Sequence, residues 1–415
     1  MVKLHLLPAV ISILPFIAWA DQAVLHMPIG DPARKDREVS LVLDGITDTS
    51  TGEIITPAEM ASRLENTGLL FLGENHTNLD FHKVQLRVIR ELHEAGREVL
   101  IGLEMFPYTQ QASLDRWNQN LYSEAGFVEL ADWYEYWGYN WAYYRDIFLF
   151  ARNNGLRMFA INTPRDVVSA VRKKGFENLT EEEAAHIPGE VAPVTDEQRK
   201  MYNAFFDVDD ALHRAMDKKA LEGMYRAQTT WDATMGWNAL QALQEHGGPD
   251  AIMAVLIGAG HVTFGLGSER QTAPHYDGKI SSIIPLPVVD DSGEPIEKVR
   301  ASYANFLWGL PKEEESAYPS LGISLMGSLG DQPLQLIQVS AGSVGDRAGL
   351  KVGDVLVSID GVIVESGTAL RRVVANYRWG DVAAAEISRD DAIMPIEIHF
   401  RRSRIDTGTR GLPVE

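Results

Sequence analysis

Short apolar runs alternate with helical patterns along the first two thirds of the chain. Five runs are read as strands, at residues 69–73, 99–106, 156–162, 251–258 and 279–286. The stretches between them, such as 80–95 and 109–154, have the composition and spacing of helices. Strands separated by helices predict an α/β fold, with a mainly parallel sheet covered on both faces.

A different pattern follows the charged, proline-containing segment 311–320. Here the chain has short strand-like runs and one helical segment near 367–377; the runs are LGISLMG, LQLIQVS, DVLVSIDG, AAAEIS and IMPIEIHF. Asp360–Gly361 is a typical hairpin turn. Since 415 residues exceed the usual size of one hydrophobic core, we predict domains at 40–310 and 318–402 and a loose tail at 403–415.

The first twenty residues have the pattern of a cleavable secretory signal. Lys3 is followed by an apolar run that is too short for a comfortable membrane span, and small residues stand at Ala18 and Ala20. We therefore expect a signal peptide at 1–20 and a mature protein, without a transmembrane segment, in the periplasm of a Gram-negative bacterium. Cysteine is absent, which excludes disulfides, thiol catalysis and a lipid anchor on cysteine. A net charge of −20 argues against nucleic acid as a partner.

Polar side chains follow four of the predicted strands. Glu74 and His76 come after the first, Glu104 ends the second, Arg165 follows the third and His261 follows the fourth. The carboxyl ends of parallel strands lie along one edge of a sheet, where open α/β sheets bind ligands. Because a buried carboxylate needs a partner, Arg165 is the expected partner of Glu74 or Glu104. We predict a functional site at this edge.

Five segments carry a family resemblance: FLGENH, LEMFPYTQQ, WYEYWGY, AINTPRDVV and GAGHV. Together they resemble the ChaN family, the haem-binding uptake group of the Tiki superfamily, over about residues 60–265. The resemblance implies an exported haem-binding protein linked to iron acquisition. The candidate haem ligands are Tyr108, Tyr144, His76 and His261, with Arg165 available for a propionate. Segment 133–144 contains eight aromatic residues. We expect most of them to form a helical cap over the sheet; the alternative is that they form flat apolar walls for a haem.

The same strand-end residues admit a second interpretation. His76 and His261 both stand in Gly-x-x-His motifs that resemble the metal site of the Tiki proteases. With Glu104 they could hold zinc or manganese and activate a water for hydrolysis. Without a metal, a histidine with Glu74 or Glu104 could act as a general base on an ester. Neither a Gly-x-Ser-x-Gly elbow nor an HExxH motif is present.

Residues 343–364, SVGDRAGLKVGDVLVSIDGVIV, closely resemble the PDZ family. A PDZ domain implies a groove that binds a protein C-terminus or an internal peptide as an added strand. The peptide-binding residues implied by the resemblance are Ser320, Leu321, Gly322, Ile323, Leu370 and Val374. Alternatively, the groove packs on the chain's own first domain. A third hypothesis for the whole protein is a non-catalytic periplasmic adaptor, and a homodimer is left open.

Overall fold

The computed structural model describes residues 22–206, 218–325 and 334–402. The expected signal peptide at 1–20 and the expected loose tail at 403–415 lie outside these described residues. The chain divides into two compact units. Of the described residues, the larger unit holds those from 22 to 137 and from 141 to 313, and the smaller unit holds Gly138–Asn140 and those from 314 to 402.

A sheet forms the centre of the larger unit. The strands described in this unit are β1 (Glu38–Ser40), β2 (Ile46–Asp48), β3 (Ile54–Ile55), β4 (Thr67–Glu74), β5 (Glu98–Pro107), β6 (Met158–Asn162), β7 (Ala251–Gly258), β8 (Lys279–Pro287), β9 (Lys298–Arg300) and β10 (Phe306–Leu310). Eight of these described strands share one sheet in the order β3-β2-β10-β8-β4-β7-β5-β6, and β1 pairs with β9. All neighbours from β10 to β6 are parallel, and β2 is antiparallel to β10 and β3. The predicted mainly parallel α/β sheet is confirmed.

Helices connect the parallel strands. Those described in the larger unit are α1 (Gln22–Leu25), α2 (Pro57–Arg63), α3 (Leu79–Glu94), α4 (Gln111–Asn118), α5 (Glu124–Leu130), α6 (Trp133–Tyr136), α7 (Arg145–Asn153), α8 (Arg165–Lys174), α9 (Glu181–Ala184), α10 (Asp196–Phe206), α11 (Lys218–His246) and α12 (Ser268–Thr272). Across the described residues, none of the helices has both the length and the apolar character needed to cross a membrane.

The central strands are apolar because they are covered on both faces. Every residue of β4 and β7 is buried, which explains their nearly continuous hydrophobic runs. On one side, Trp133 and Trp141 pack edge to face at 4.9 Å, and both contact Phe148. Trp133 and Phe148 are fully buried. This packing agrees with the interpretation of segment 133–144 as a helical cap.

The smaller unit is rich in strands, as expected. Its described elements are β11 (Ile323–Leu325), β12 (Leu336–Val339), α13 (Val344–Arg347), β13 (Val355–Ile359), β14 (Val362–Ile363), α14 (Gly367–Val374), β15 (Val382–Arg389) and β16 (Ala392–His399). Asp360 and Gly361 have φ angles of 48° and 77° and join β13 to β14. Positive φ at both central residues is the geometry of a two-residue hairpin turn, so the predicted turn is confirmed.

Candidate functional site at the strand ends

The ends of three neighbouring strands bring the predicted polar residues together. β7 lies between β4 and β5, so Gly258 at its end lies between the residues that follow β4 and those that end β5. The Gly258 amide donates a 2.6 Å hydrogen bond to Glu104 Oε2. A Cβ atom on Gly258 would lie only 3.1 Å from His76 Cε1 and 3.6 Å from Glu104 Oε2. Glycine therefore allows His76 to approach Glu104 closely.

Glu74, the last residue of β4, is the centre of a first buried network. Its Oε1 lies 2.8 Å from His76 Nδ1 and accepts a hydrogen bond from the Tyr144 hydroxyl. Its Oε2 accepts a 2.6 Å hydrogen bond from Gln85 Nε2 and lies 3.6 Å from His82 Nδ1. Burial opposes ionisation, but the charge of His82 and the hydrogen bond from His76 outweigh it and lower the pKa of Glu74 to about 2. Glu74 is therefore ionised at neutral pH.

His261 is the centre of a second buried network. Its Nδ1 lies 2.6 Å from Asp232 Oδ1, and its Nε2 lies 3.5 Å from Glu104 Oε1. The Tyr202 hydroxyl donates to the other Asp232 oxygen at 3.2 Å. Burial lowers the pKa of His261, but its hydrogen bonds to Asp232 and Glu104 outweigh burial and raise the pKa to about 10. The imidazole is therefore protonated at neutral pH.

Histidines, not Arg165, compensate the two buried glutamates. Burial raises the pKa of Glu104, but the hydrogen bond and charge of His261, together with the charge of His76, lower it overall. Arg165 begins α8, and its guanidinium donates to the main-chain oxygens of Glu135 and Tyr136 at 3.0 and 2.7 Å. The expectation that Arg165 pairs with Glu74 or Glu104 is corrected. Arg165 contacts the main chain of α6 instead.

The two networks can move protons but are poorly arranged for a metal. A doubly hydrogen-bonded imidazolium next to a carboxylate can act as a general acid, with Glu104 as the base. A metal ion would have to displace the proton of His261 before this imidazole could act as a ligand. Within the part of the chain that the structure describes, no group of three or more histidine or acidic side chains could hold a metal ion.

A cavity of about 300 Å³ opens at the ends of β5 and β6. Its walls combine apolar, aromatic, polar and charged side chains: Met105, Pro107, Thr109, Glu135, Tyr136, Asn162, Thr163, Pro164, Arg165 and Asp166. The volume is at the lower end of the roughly 300–1,000 Å³ typical of small-molecule sites. A planar ligand larger than this cavity would keep part of its surface outside it.

The two candidate tyrosines have different surroundings. Tyr144 precedes α7, is fully buried and donates its hydroxyl to Glu74. Tyr108 follows β5 in a short 3-10 turn, is half-buried, and its hydroxyl lies 2.7 Å from His186 Nδ1. Pro107 and Thr109, its neighbours in the chain, line the cavity. Tyr108 is thus more accessible to a ligand than Tyr144.

Several residues of the site escaped sequence analysis. The sequence did not point to His82 or His186, although the first lies beside Glu74 and the second beside Tyr108. Asp232 and Gln228 come from the middle of α11, and their side chains meet His261 there. Gln85 shares a face of α3 with His82 at a spacing of three residues. This spacing, a few residues after His76, was a pattern in the sequence that indicated a shared helix face. No comparable pattern marked Asp232.

In the smaller unit, the expected peptide-binding residues border the core. Leu321 and Leu370 are buried in it, and Ile323 and Val374 pack against it. Gly322 has a φ of 66°, and its carbonyl accepts a hydrogen bond from the Ser340 amide. Ser320 is exposed at the entrance to this loop.

Comparison with known proteins agrees with this architecture. A family model described as haem-binding uptake, Tiki superfamily, ChaN matches residues 60–271, and a PDZ-domain model matches residues 337–377. A solved structure of ChaN from Campylobacter jejuni with cofacially bound haem is 18% identical and has a TM-score of 0.50. The similarity covers 63% of this chain and 95% of that one, and at this identity it supports the fold alone.

A curated relative is RETICULATA-RELATED 5, a chloroplastic protein of Arabidopsis thaliana. It is 25% identical to this chain over 264 residues, which are 59% of this chain and 34% of that protein. This chain thus spans about one third of the length of that relative.

Proposed function

Because the chain belongs to the haem-binding uptake family of the Tiki superfamily, ChaN, we propose that it is an exported haem-binding protein that serves iron acquisition. The family match over residues 60–271 carries this proposal, since it contains all four strand ends and the cavity. The PDZ domain would bind a protein C-terminus or an internal peptide. Export is tested by sequencing the N-terminus of the mature protein, which should begin at Asp21.

The chemistry of the cavity fits a haem. Pro107, Met105 and Tyr136 provide apolar and aromatic surface, and the Arg165 guanidinium lies in the same wall to meet a propionate. Bound haem would supply an iron centre that takes an axial ligand from the protein. Among the candidate ligands, His261 is protonated, His76 is hydrogen-bonded through Nδ1 to the buried Glu74, and Tyr144 is fully buried. Tyr108 is half-buried and lies between two cavity-lining residues in the chain, so we propose that it would ligate the iron.

The small volume of the cavity also supports a homodimer. A haem seated there would keep part of one face outside the cavity, and a second copy of the chain would shield this apolar face from water. Sedimentation velocity of the protein with and without haemin measures the association state. A monomer under both conditions would contradict the dimer and leave haem binding unaffected.

A haemin titration followed by absorbance tests the proposed ligand. The unaltered protein should give a saturable shift of the Soret band, and Tyr108→Phe should weaken binding by about tenfold or more, which is at least about 1.4 kcal/mol. Tyr122→Phe is the matched control, because Tyr122 is also partly buried but its hydroxyl contacts Arg116. No saturable shift in the unaltered protein would overturn the proposal.

The arrangement of Asp232, His261 and Glu104 favours a second candidate function. A histidine oriented by one carboxylate and facing another is suited to hydrolysis of an ester or peptide by general acid–base chemistry. The metal-dependent form with zinc or manganese requires His261 to lose its proton first. Hydrolysis of a chromogenic ester, together with metal analysis of the same sample, tests both forms. Activity that is lost in His261→Ala would support this candidate over haem carriage.

A further inference from the structure

Tyr108 and His186 form a hydrogen-bonded pair beside the cavity. The phenol oxygen lies 2.7 Å from His186 Nδ1, and the two ring centroids are 5.8 Å apart. The two residues are 78 positions apart in sequence, so the fold, not local sequence, brings them together. Both are half-buried.

The surrounding main chain holds His186 in place. Residues 181–184 form α9, which begins with a capping box between Thr180 and Glu183. The His186 amide donates to the Glu183 carbonyl at 3.3 Å, and its own carbonyl accepts from Thr163 Oγ1 at 3.4 Å. Thr163 lines the cavity and follows β6. The main chain of His186 is thus anchored to the strand end that forms one wall of the cavity.

From this geometry we propose that His186 is the positioning residue of the haem site, holding the phenol oxygen of Tyr108 in one direction. The inference rests on the proposed function, because it takes Tyr108 as the axial ligand. Tyr108 would bind iron through its phenolate oxygen, and the phenol proton would pass to His186 Nδ1. His186 would then donate the hydrogen bond to one lone pair of that oxygen and leave another lone pair for iron. Metal ligands are commonly oriented by such hydrogen-bonded partners, and loss of the partner costs metal affinity. A fixed side chain also loses less conformational entropy when it binds.

The release of haem measures this effect. Haem loaded on the full-length protein is transferred to an excess of a tighter-binding acceptor protein, and the dissociation rate is read from absorbance. His186→Ala should release haem about tenfold faster than the unaltered protein. His186→Asn should restore most of the slow rate, since its amide nitrogen can occupy the position of Nδ1. His275→Ala is the matched control, because His275 is also half-buried beside an aromatic ring, that of Trp237.

A second measurement needs no haem. In the protein without haem, ¹⁵N-histidine NMR should show a hydrogen-bonded Nδ1 signal that is lost in both His186→Ala and Tyr108→Phe. This reports the pair even where an alanine variant folds poorly, because Tyr108→Phe removes only the hydroxyl group.

The outcomes separate the inference from the proposed function. Faster release in His186→Ala with rescue by His186→Asn supports the positioning role. Saturable haem binding with equal release rates in all variants overturns it and leaves haem binding intact. No saturable binding by the unaltered protein overturns the proposed function, while the NMR signal still decides whether the pair exists. If His186→Asn is folded and releases haem as fast as folded His186→Ala, the positioning role is also contradicted.

Discussion

At the scale of single residues, Glu74 is a fully buried carboxylate whose charge is tolerated because polar side chains surround it. Its folded pKa of about 2 lies below the ordinary value of 4.5. A group with a lowered pKa stabilises the fold above its unfolded pKa and loses that contribution as the pH falls through its folded pKa. The protein should therefore lose stability between about pH 4.5 and pH 2 as Glu74 takes up a proton.

Replacing Glu74 isolates this contribution. Glu74→Gln should lower the free energy of unfolding at pH 7 by about 2–3 kcal/mol and flatten the acid limb of the stability profile. Urea denaturation at a series of pH values measures both effects. Glu190→Gln is the control, because Glu190 is exposed and should leave the profile unchanged. If Glu74→Gln loses stability at low pH as the unaltered protein does, other carboxylates cause the acid sensitivity.

At the scale of elements, the packing of α11 against α12 depends on a glycine. A Cβ atom on Gly236 would lie 2.1 Å from Thr272 Oγ1 and 3.2 Å from the Ser268 carbonyl oxygen. Alanine is the better helix former by about 1 kcal/mol, but the collision outweighs that gain, because a close-packed interface cannot absorb the extra atom without moving. Gly236→Ala should therefore destabilise the protein by about 1–3 kcal/mol.

Thermal unfolding measures the effect of Gly236→Ala. Gly367→Ala in α14 is the control, because Gly367 is also helical and a Cβ there meets no atom within 4 Å. The double variant Gly236→Ala, Thr272→Ala should recover most of the lost stability. A double variant as unstable as the single one would show that the collision with Thr272 is not the cause.

The sequence predicted those strands that an apolar run alone could identify. The strands β4, β5, β6 and β7 are long or buried on both faces, so their apolar runs were recognisable. β2, β3 and β10 have two to five residues each and gave no periodicity. The position of β7 between β4 and β5 was also not readable, because spatial order depends on how the helices pack. Asp232 was missed for the same reason, since only that order brings α11 to His261.

At the scale of the whole molecule, the buried apolar residues form separate clusters in the two units. One cluster joins residues of the larger unit, such as Phe71, Met253 and Leu307, and another joins residues of the smaller unit, such as Leu356 and Phe400. A unit with its own hydrophobic core can fold alone. Apart from Gly138–Asn140, which belongs to the smaller unit, the described chain passes from the larger to the smaller unit at Glu313, within the charged segment 311–320.

Each unit should therefore keep its properties when the chain is cut at this boundary. A chain that ends at Glu313 should bind haemin with the affinity of the full protein, because the cavity, Tyr108 and His186 all precede the boundary. A fragment of residues 314–415 should unfold cooperatively on its own, which circular dichroism measures. Limited proteolysis of the full chain should cut first within 311–320 and leave two resistant fragments. Loss of haemin binding in the shortened chain, with its fold retained, would contradict this prediction.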